Sequence, residues 1–195
     1  MKGTVKANTV DRYLRPIRAQ IKDLIPENSL VVEFGCGNGD LLFRLADKIR
    51  LGRGFDVDKS LVAFANKRKE ALKANNLHFE VADVSTKHNI GAQYDFAISS
   101  LLLHILPHSE AVQVVETLFT HSKSLIICGF TRPTNWKQNF LLWLDQRFTN
   151  HYLNFKRHRE SGYTEGLLEA MNIEDYDRID TFDPVIKIYR IVSAK

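Results

Sequence analysis

The chain has 195 residues, of which 44% are hydrophobic and 26% charged, and its formal net charge at pH 7 is +4. A globular domain of this length and composition can bury a full hydrophobic core, so it does not need disulfides or a metal ion to fold. The two cysteines form no metal-ligand or disulfide pattern, and the longest apolar runs are too short to span a bilayer. We therefore expect a cytoplasmic protein without a metal or a membrane span. Its mild positive charge is compatible with nucleic acid but does not require it.

Strands and helices alternate along the chain as far as residue 130. The opening segment, residues 8–24, is predicted to be helical, with Pro16 kinking it or starting a second helix and Pro26 ending it. The fourth predicted strand is mostly apolar, as expected for the buried middle of a parallel sheet. We predict strands at residues 30–34, 52–56, 78–82, 94–99 and 124–129. We also predict three helices: one that begins at residue 40, one at residues 59–75 and one at residues 109–121.

The alternation stops after residue 130. Residues 132–162 are aromatic-rich, basic and helical in pattern, and Thr164 is predicted to cap a short helix that ends at Met171. Two further strands, residues 176–182 and 185–192, are separated by a link of only two residues. This link is too short for a parallel crossover, so we predict that the two strands form an antiparallel hairpin.

A glycine-rich turn joins the first strand to the next helix. Gly35, Gly37 and Gly39 allow a tight turn and let a ligand approach main-chain N–H groups, and the following helix adds a partial positive charge at its start. A dinucleotide-binding fingerprint would place a glycine where this chain has Asp40. Because an acid there would repel a pyrophosphate, the turn favours a ligand that has no phosphate and carries a positive centre.

Carboxylates stand at or near the ends of three successive predicted strands. Asp56 ends the second strand and could accept both hydroxyls of a ribose, whereas the alternative is that Asp56 or Asp58 caps the next helix. Asp83 follows the third strand, and its alternative is a solvated turn aspartate. Ligands of open α/β sheets bind at the carboxyl ends of the strands, so we expect Glu33, Asp56 and Asp83 to face one shared cavity.

The glycine spacing with Glu33 two residues before it resembles motif I of the class I S-adenosylmethionine-dependent methyltransferases, and residues 28–130 resemble their strand order. The resemblance implies an α/β Rossmann-like three-layer sandwich, with a mostly parallel seven-stranded sheet and a C-terminal antiparallel hairpin. It implies S-adenosylmethionine as cofactor and S-adenosylhomocysteine as product, with Asp56 at the ribose and Asp83 and Val84 at the adenine. The cofactor-binding residues that it implies are Glu33, Gly35, Cys36, Gly37, Gly39, Asp56, Val57, Asp83, Val84, Ser99 and Ser100.

His104, just after the fourth strand, is the candidate catalytic residue. A histidine there could remove a proton from a hydroxyl or amine acceptor near neutral pH, and the alternative is a packing or capping role. Methyl transfer asks mainly for alignment and for exclusion of water, because the sulfonium is already an excellent leaving group. The sequence therefore leaves open whether a general base is used and which atom is methylated.

We treat residues 1–195 as a single domain in which residues 131–165 form a lid, since an insertion at this place overhangs the acceptor side in similar enzymes. The basic cluster at residues 156–159 is predicted to receive an acidic group or an acidic carrier protein. The alternatives are base stacking beside phosphate contacts in RNA, and an amphipathic helix that covers the core with a solvated basic face. The candidate substrate-binding residues are Trp136, Phe140, His151, Tyr152 and Tyr163.

Two kinds of nucleic-acid methyltransferase are disfavoured. The residues after the fourth strand, Ser99 to Leu102, lack the Asn/Asp-Pro-Pro-aromatic run of the enzymes that methylate exocyclic amines. Cys128 lacks the preceding proline of the cytosine-C5 enzymes, so we interpret it as a small buried hydrophobe. We predict a methyltransferase that acts on a small apolar or aromatic acceptor; an RNA or protein methyltransferase and a non-catalytic partner subunit that binds S-adenosylmethionine are the alternatives.

Overall fold

The structure is a computed structural model that describes residues 10–86, 90–91 and 93–192. Seven strands form one sheet in the order β3-β2-β1-β4-β5-β7-β6. The strands are β1 (Leu30–Phe34), β2 (Leu51–Asp56), β3 (Leu77–Val81), β4 (Tyr94–Ser100), β5 (Ser122–Phe130), β6 (Asp177–Asp180) and β7 (Ile186–Val192). The α-helices are α1 (Val10–Tyr13), α2 (Arg15–Leu24), α3 (Asp40–Leu45), α4 (Lys59–Leu72), α5 (His108–Thr120), α6 (Trp136–Arg147), α7 (Tyr152–Glu160) and α8 (Tyr163–Ala170), and a 3₁₀ turn covers Leu103–Ile105.

The sheet confirms the predicted fold class. The pairs β1–β2, β1–β4, β2–β3 and β4–β5 are parallel, and β7 runs antiparallel to both β5 and β6. The strand order reverses between β1 and β4, and ligands of open α/β sheets bind at such a switch point, at the carboxyl ends of the strands. This topology therefore directs attention to the loops that follow β1, β2, β3 and β4.

Successive residues of β1 point to opposite faces of the sheet, and each face has its own core. Val31 belongs to a core with residues of α2 and α3, whereas Val32 belongs to a core with residues of α5 and α8. Both valines are fully buried, and the apolar side chains of β5 are at most 6% exposed. The result is the predicted three-layer sandwich, with helices on both sides of the sheet.

The N-terminal segment agrees with the prediction that Pro16 starts a second helix. The first helix ends at Tyr13, and Pro16 lies in the first turn of α2, where its missing N–H costs no hydrogen bond. Residues 8 and 9 of the predicted segment lie outside the described residues.

The predicted cap at Thr164 is wrong. Helix α8 begins at Tyr163, and its preceding residue is Gly162 with φ +94°. The Thr164 hydroxyl donates a hydrogen bond to the carbonyl oxygen of Phe130 at 2.8 Å. Thr164 therefore links the first turn of α8 to the carboxyl end of β5. Its hydroxyl serves this contact and does not cap the helix.

No helix within the described part of the chain has the length and apolar content needed to cross a membrane.

Candidate cofactor and acceptor site

The turn between β1 and α3 is a glycine loop with an unusual backbone. Gly35, Gly37 and Gly39 have φ values of +75°, +55° and +76°, in the left-handed region that glycine tolerates best. The N–H groups of Gly35 and Cys36 donate to the carbonyl oxygen of Phe55 at 2.8 and 3.1 Å, so the loop is tied to β2. These contacts hold a side-chain-free stretch of backbone at the switch point of the sheet.

Asp56 connects the glycine loop to the end of β2. Its Oδ2 accepts a hydrogen bond from the Gly37 N–H at 2.7 Å, and its Oδ1 accepts one from the Asp58 N–H at 2.8 Å. A carboxylate has about four acceptor positions, so capacity remains for ribose hydroxyls. Asp58 accepts from the N–H groups of Ser60 and Leu61, which confirms that it caps α4.

The other two predicted acids lie in different environments. Glu33 is only 3% exposed, inside β1, and pairs in register with Gly54 of β2. Asp83 is exposed, and its Oδ1 accepts from both the N–H and the hydroxyl of Ser85, at 3.0 and 2.6 Å. Val84 beside it is buried. Asp56 and Asp83 thus stand at the open edge of the sheet, whereas Glu33 is a core carboxylate below the glycine loop.

Asp40 is the centre of a buried ion cluster. Its carboxylate lies 2.6 Å from the Arg18 guanidinium, 2.6 Å from that of Arg44 and 3.4 Å from that of Arg68. Burial alone would raise the pKa of Asp40, but the hydrogen bonds and charges of Arg44 and Arg18 outweigh burial and lower it. The carboxylate that was expected to repel a pyrophosphate therefore faces three arginines.

The same cluster anchors the N-terminal helices to the glycine loop. Arg18 also donates to Asp11 of α1 at 2.7 Å, and the Asn38 side-chain amide donates to the other oxygen of Asp11 at 2.7 Å. Sequence reasoning missed Asp11 and Asn38, because nothing in the local pattern links two polar residues 27 positions apart. Arg18 of α2 is buried between Asp11 of α1 and Asp40 of α3.

The end of β4 carries two unusual features. Ser99 is 1% exposed, and its hydroxyl oxygen has no hydrogen-bond partner among the described residues. Two residues later, Leu101 has φ +53°, a conformation that costs a residue other than glycine about 1–2 kcal/mol. Strained backbone that is held in place by its surroundings often marks a functional site. No sequence signal points to Leu101, since leucine does not favour this conformation.

His104 lies under α7 in an aromatic cluster. Its ring centroid is 4.7 Å from that of Phe130 and 6.4 Å from that of Phe155, and the rings of His151 and His158 follow at 5.5 and 6.5 Å. Burial, with smaller contributions from His158 and His151, lowers the pKa of His104 well below its usual value. The imidazole is therefore neutral at pH 7 and only 7% exposed.

The predicted substrate-binding residues fall into two groups. His151 and Tyr152 are half-buried and Tyr163 is buried, and all three belong to the helical layer above the end of β5. Trp136 and Phe140 are 73% and 51% exposed on the outer side of α6. In the first group, His151 lies beside His104, and Tyr163 contacts Phe155 and His158. In the second group both side chains face solvent, and Trp136 also lines a cleft with Tyr163.

Cys36 and Cys128 are buried and not joined in a disulfide. Burial raises the pKa of the Cys128 thiol to about 12, which agrees with its interpretation as a small hydrophobe. Within the described ranges, no group of three or more histidine, cysteine, aspartate or glutamate side chains is arranged to hold a metal ion.

A family model described as "Methyltransferase domain" matches residues 25–154 of the chain. The match covers β1 to β5 and the glycine loop, which is well over half of the chain. The chain belongs to this methyltransferase family. It is a class I enzyme fold of the kind that uses S-adenosylmethionine.

Similar proteins agree with this assignment. "Putative methyltransferase 235L" from Invertebrate iridescent virus 6 is 27% identical over 114 residues, which are 57% of this chain and only 41% of that protein. The solved magnesium protoporphyrin IX methyltransferase ChlM from Synechocystis PCC 6803, with bound S-adenosylhomocysteine, is 20% identical with a TM-score of 0.66, over 94% of this chain and 83% of that one. The N-methyltransferase NodS from Bradyrhizobium japonicum WM9 is 11% identical with a TM-score of 0.68, over 97% and 99% of the two chains. At these identities the two solved structures show a shared fold.

The edge of the methyltransferase sheet fits S-adenosylmethionine, the cofactor of this family. The left-handed glycine loop offers open backbone, and a Cβ on Gly35 would lie 3.0 Å from the Leu102 side chain. Asp56 offers a carboxylate oriented by two main-chain N–H groups, and the buried Ser99 hydroxyl lacks a partner in the described structure. These are polar groups placed for a ligand that carries hydroxyl and amino groups.

Proposed function

We propose that this methyltransferase transfers the methyl group of S-adenosylmethionine to a small apolar or aromatic acceptor. The observation that supports the proposal is the aromatic layer of α6, α7 and α8 above the carboxyl end of β5. Phe130, at the end of β5, and Phe155 of α7 enclose His104, and Tyr152 of the same helix accepts a hydrogen bond from the Trp143 indole at 3.1 Å. This layer is apolar where an acceptor would approach the methyl group from the side of β4 and β5.

On this proposal, each loop at the sheet edge holds one part of the cofactor. Asp56 accepts from the ribose hydroxyls, and Asp83 with the main chain of Val84 meets the adenine. The glycine loop and the end of β4 surround the methionine part. The proposed cofactor-binding residues remain Glu33, Gly35, Cys36, Gly37, Gly39, Asp56, Val57, Asp83, Val84, Ser99 and Ser100. Glu33, being buried, acts through the position of the loop.

The proposed acceptor contacts follow the same division that the structure shows. His151, Tyr152 and Tyr163 border the bound acceptor, whereas Trp136 and Phe140, on the outer side of α6, meet it only as it enters. Tyr163 has φ +62°, and this strained backbone directs a buried aromatic side chain towards the layer. An acidic group on the acceptor would be balanced by Arg159 at the end of the basic cluster.

The bound cofactor supplies an activated methyl group, and the chain aligns the acceptor with it and keeps water out. His104 is held in the neutral form that a general base requires. Its ring is also enclosed by Phe130 and Phe155, as expected for a packing residue. Substitution of His104 distinguishes the two roles. Loss of a general base slows methyl transfer about 10²- to 10⁴-fold, whereas loss of a packing residue mainly lowers stability.

Titration with S-adenosylhomocysteine tests the cofactor half of the proposal. Asp56→Asn removes a charged acceptor of two hydroxyls, so its Kd should rise about 10- to 150-fold, the equivalent of about 1.5–3 kcal/mol. Asp47→Asn is the matched control, because Asp47 follows the C-terminal end of α3, is 73% exposed and pairs with Lys22 of α2. An unchanged Kd for Asp56→Asn, measured by calorimetry on folded protein, would discard the ribose assignment.

Labelled cofactor tests the acceptor class. The protein is incubated with methyl-labelled S-adenosylmethionine and an extract that is separated into small molecules, RNA and protein. We expect label in the small-molecule fraction, extractable into organic solvent, and the same assay with His104→Gln separates the two roles of His104. Label confined to the RNA or the protein fraction would reject a small acceptor, and no label in any fraction with intact S-adenosylhomocysteine binding would favour a non-catalytic subunit.

A further inference from the structure

Helix α6 presents its large apolar side chains to solvent. The exposed fractions are 73% for Trp136, 51% for Phe140, 62% for Leu141, 43% for Leu144 and 80% for Phe148, which directly follows the helix. We call these five residues the outer face. The opposite side of α6 is buried through Leu142 and Gln146. A surface helix normally directs its apolar stripe to the core, so an outer face of this kind marks an interaction surface.

The outer face is interleaved with positive charge. The Lys137 ammonium lies 5.9 Å from the Trp136 ring centroid, and the Arg147 guanidinium lies 4.9 Å from the ring of Trp143 and 6.0 Å from that of Phe148. Both cations therefore lie along aromatic rings with their charged ends exposed. Helices α6 and α7 together carry five lysines and arginines against two acids.

A basic cleft continues the outer face at the N-terminal end of α6. It has a volume of about 350 Å³, and Trp136 lines it together with Asn135, Arg132, Arg159 and Tyr163. Neither arginine forms an ion pair with a carboxylate in the described part of the chain. Two arginines without acid partners, in a cleft of this size, suit the phosphate of a lipid headgroup.

We propose that the outer face of α6 docks on the surface of an anionic phospholipid bilayer. Trp136, Phe140 and Phe148 enter the boundary between headgroups and acyl chains, and Lys137 and Arg147 meet the phosphates. A combination of tryptophan, phenylalanine and leucine with lysine and arginine on one helix is typical of helices that lie in a membrane interface. A second copy of the chain is a poorer occupant, because its basic side chains would face those of the first.

The position of the outer face relates docking to the sheet edge. Helix α6 follows β5 after five residues, and its C-terminal end leads into the helix that covers His104. Docking would therefore bring the acceptor side of the protein to the bilayer, where apolar compounds dissolve. The outer face can bind lipid whatever the enzyme methylates; only the cleft shares Arg159 and Tyr163 with the proposed acceptor contacts.

Vesicle sedimentation tests the docking directly. The full chain is mixed with vesicles of phosphatidylcholine alone or with 30% phosphatidylglycerol, and we expect at least about 10-fold stronger binding to the anionic vesicles, weakened by 0.5 M salt. In a Trp143→Phe background, the emission of Trp136 should shift to shorter wavelength on binding. Neutral and anionic vesicles that bind equally well, or not at all, would overturn the proposal.

Variants locate the docking on the outer face. Leu141→Ser with Phe148→Ser should lower vesicle binding about 10-fold or more, whereas Leu72→Ser, which changes a leucine that is 61% exposed on α4, should leave it unchanged. Arg132→Gln should weaken binding to anionic vesicles only. S-adenosylhomocysteine titration of the double variant should give the wild-type Kd, which shows an intact fold and separates this proposal from the proposed function. A dimer in solution that the double variant dissolves, without any vesicle binding, would assign the face to a second copy instead.

Discussion

At the scale of single residues, Asp40 shows how burial determines how much an ion pair contributes to the free energy of unfolding. Asn at this position would remove one of the two acids that pair with the Arg18 guanidinium, which is 8% exposed, and would leave Asp11 at 2.7 Å as the other. Loss of a charged hydrogen bond from such a buried cluster costs about 1.5–3 kcal/mol, since the arginine still has its second acid. We therefore expect Asp40→Asn to lower the free energy of unfolding by about this amount in urea titrations at pH 7.

Asp47 provides the control for this prediction. Its carboxylate also lies 2.6 Å from a cation, Lys22, but it is 73% exposed, so Asp47→Asn should cost less than about 1 kcal/mol. The lowered pKa of Asp40 adds a pH signature. Its contribution is complete above the unfolded pKa of about 4 and is lost as the pH falls below it, so wild type and Asp40→Asn should converge in acid. Equal losses for the two variants at pH 7 would contradict the role of burial.

Residue roles were predictable from the sequence where they depend on near neighbours. The cap at Asp58 follows from its place before α4, and the position of Asp56 follows from the strand that it ends. The partners of Asp40 were not predictable, because Arg18 and Arg68 lie 22 and 28 residues away. The expected repulsion of a pyrophosphate therefore pointed to the right family, although the structure gives Asp40 a different environment.

At the scale of elements, α7 packs on the 3₁₀ turn through a cluster of three histidines, His104, His151 and His158, whose protonation should make stability depend on pH. Burial, with a smaller contribution from His108, lowers the pKa of His158 to about 4, and burial lowers the pKa of His104 and His151 as well. The folded state therefore favours neutral imidazoles, whereas the unfolded chain binds protons below about pH 6.5. The contribution of His158 to the free energy of unfolding should be complete above pH 6.5 and fall by up to about 1.4 kcal/mol per pH unit between pH 6.5 and its folded pKa of about 4; His104 and His151 add losses in the same direction.

Urea unfolding at pH 7.5, 6.5, 5.5 and 4.5 tests the cluster through the slope of stability against pH. His158→Gln should reduce the slope by about one proton, whatever it does to the absolute stability. His121→Gln at the end of α5, where the ring nitrogen contacts the Thr117 carbonyl oxygen at 2.9 Å, is the control. A slope that His158→Gln leaves unchanged would show that this histidine does not couple folding to pH.

The elements also show which sequence patterns predict structure. The buried strands β1 to β5 were predicted within about two residues, because parallel strands covered on both faces are continuous apolar runs bounded by turns. Helices α6 and α7 were predicted only as one helical region, since apolar residues on both the buried and the exposed side of α6 hide its period. The start of α8 was mispredicted, because Gly162 and Tyr163 are both left-handed and tyrosine gives no sign of this.

At the scale of the whole molecule, the sequence predicted the placement of the loops that form the proposed cofactor side, but not the contacts within the proposed acceptor side. The cofactor side consists of short loops at strand ends, whose spacing along the chain fixes their place at one sheet edge. The proposed acceptor side comprises α6 to α8. Contacts between α7 and the 3₁₀ turn join residues about 50 positions apart, as in the bond from the Asn154 amide to the Ile105 carbonyl oxygen at 2.9 Å. Such contacts leave no local pattern.

The Asp11–Arg18–Asp40 cluster should transmit the stabilising effect of cofactor binding from the glycine loop to the N-terminal helices. S-adenosylhomocysteine at about 100 times its Kd stabilises the folded state by about 2.7 kcal/mol. Hydrogen exchange should therefore slow in peptides from the glycine loop and from the ends of β2 and β3. Because Asn38 is bonded to Asp11 at 2.7 Å, exchange should also slow in residues 10–18, which are not part of the proposed cofactor contacts.

Asp11→Asn separates direct contact from transmitted protection. The variant weakens the links to Arg18 and Asn38 but leaves the glycine loop and Asp56 in place, so the loop should keep its protection while residues 10–18 lose theirs. Asp56→Asn, at the same concentration of S-adenosylhomocysteine, should lose protection in both regions because less cofactor product is bound. If residues 10–18 stay protected in Asp11→Asn, the cofactor contacts the N-terminal helices directly and the buried cluster only supports the fold.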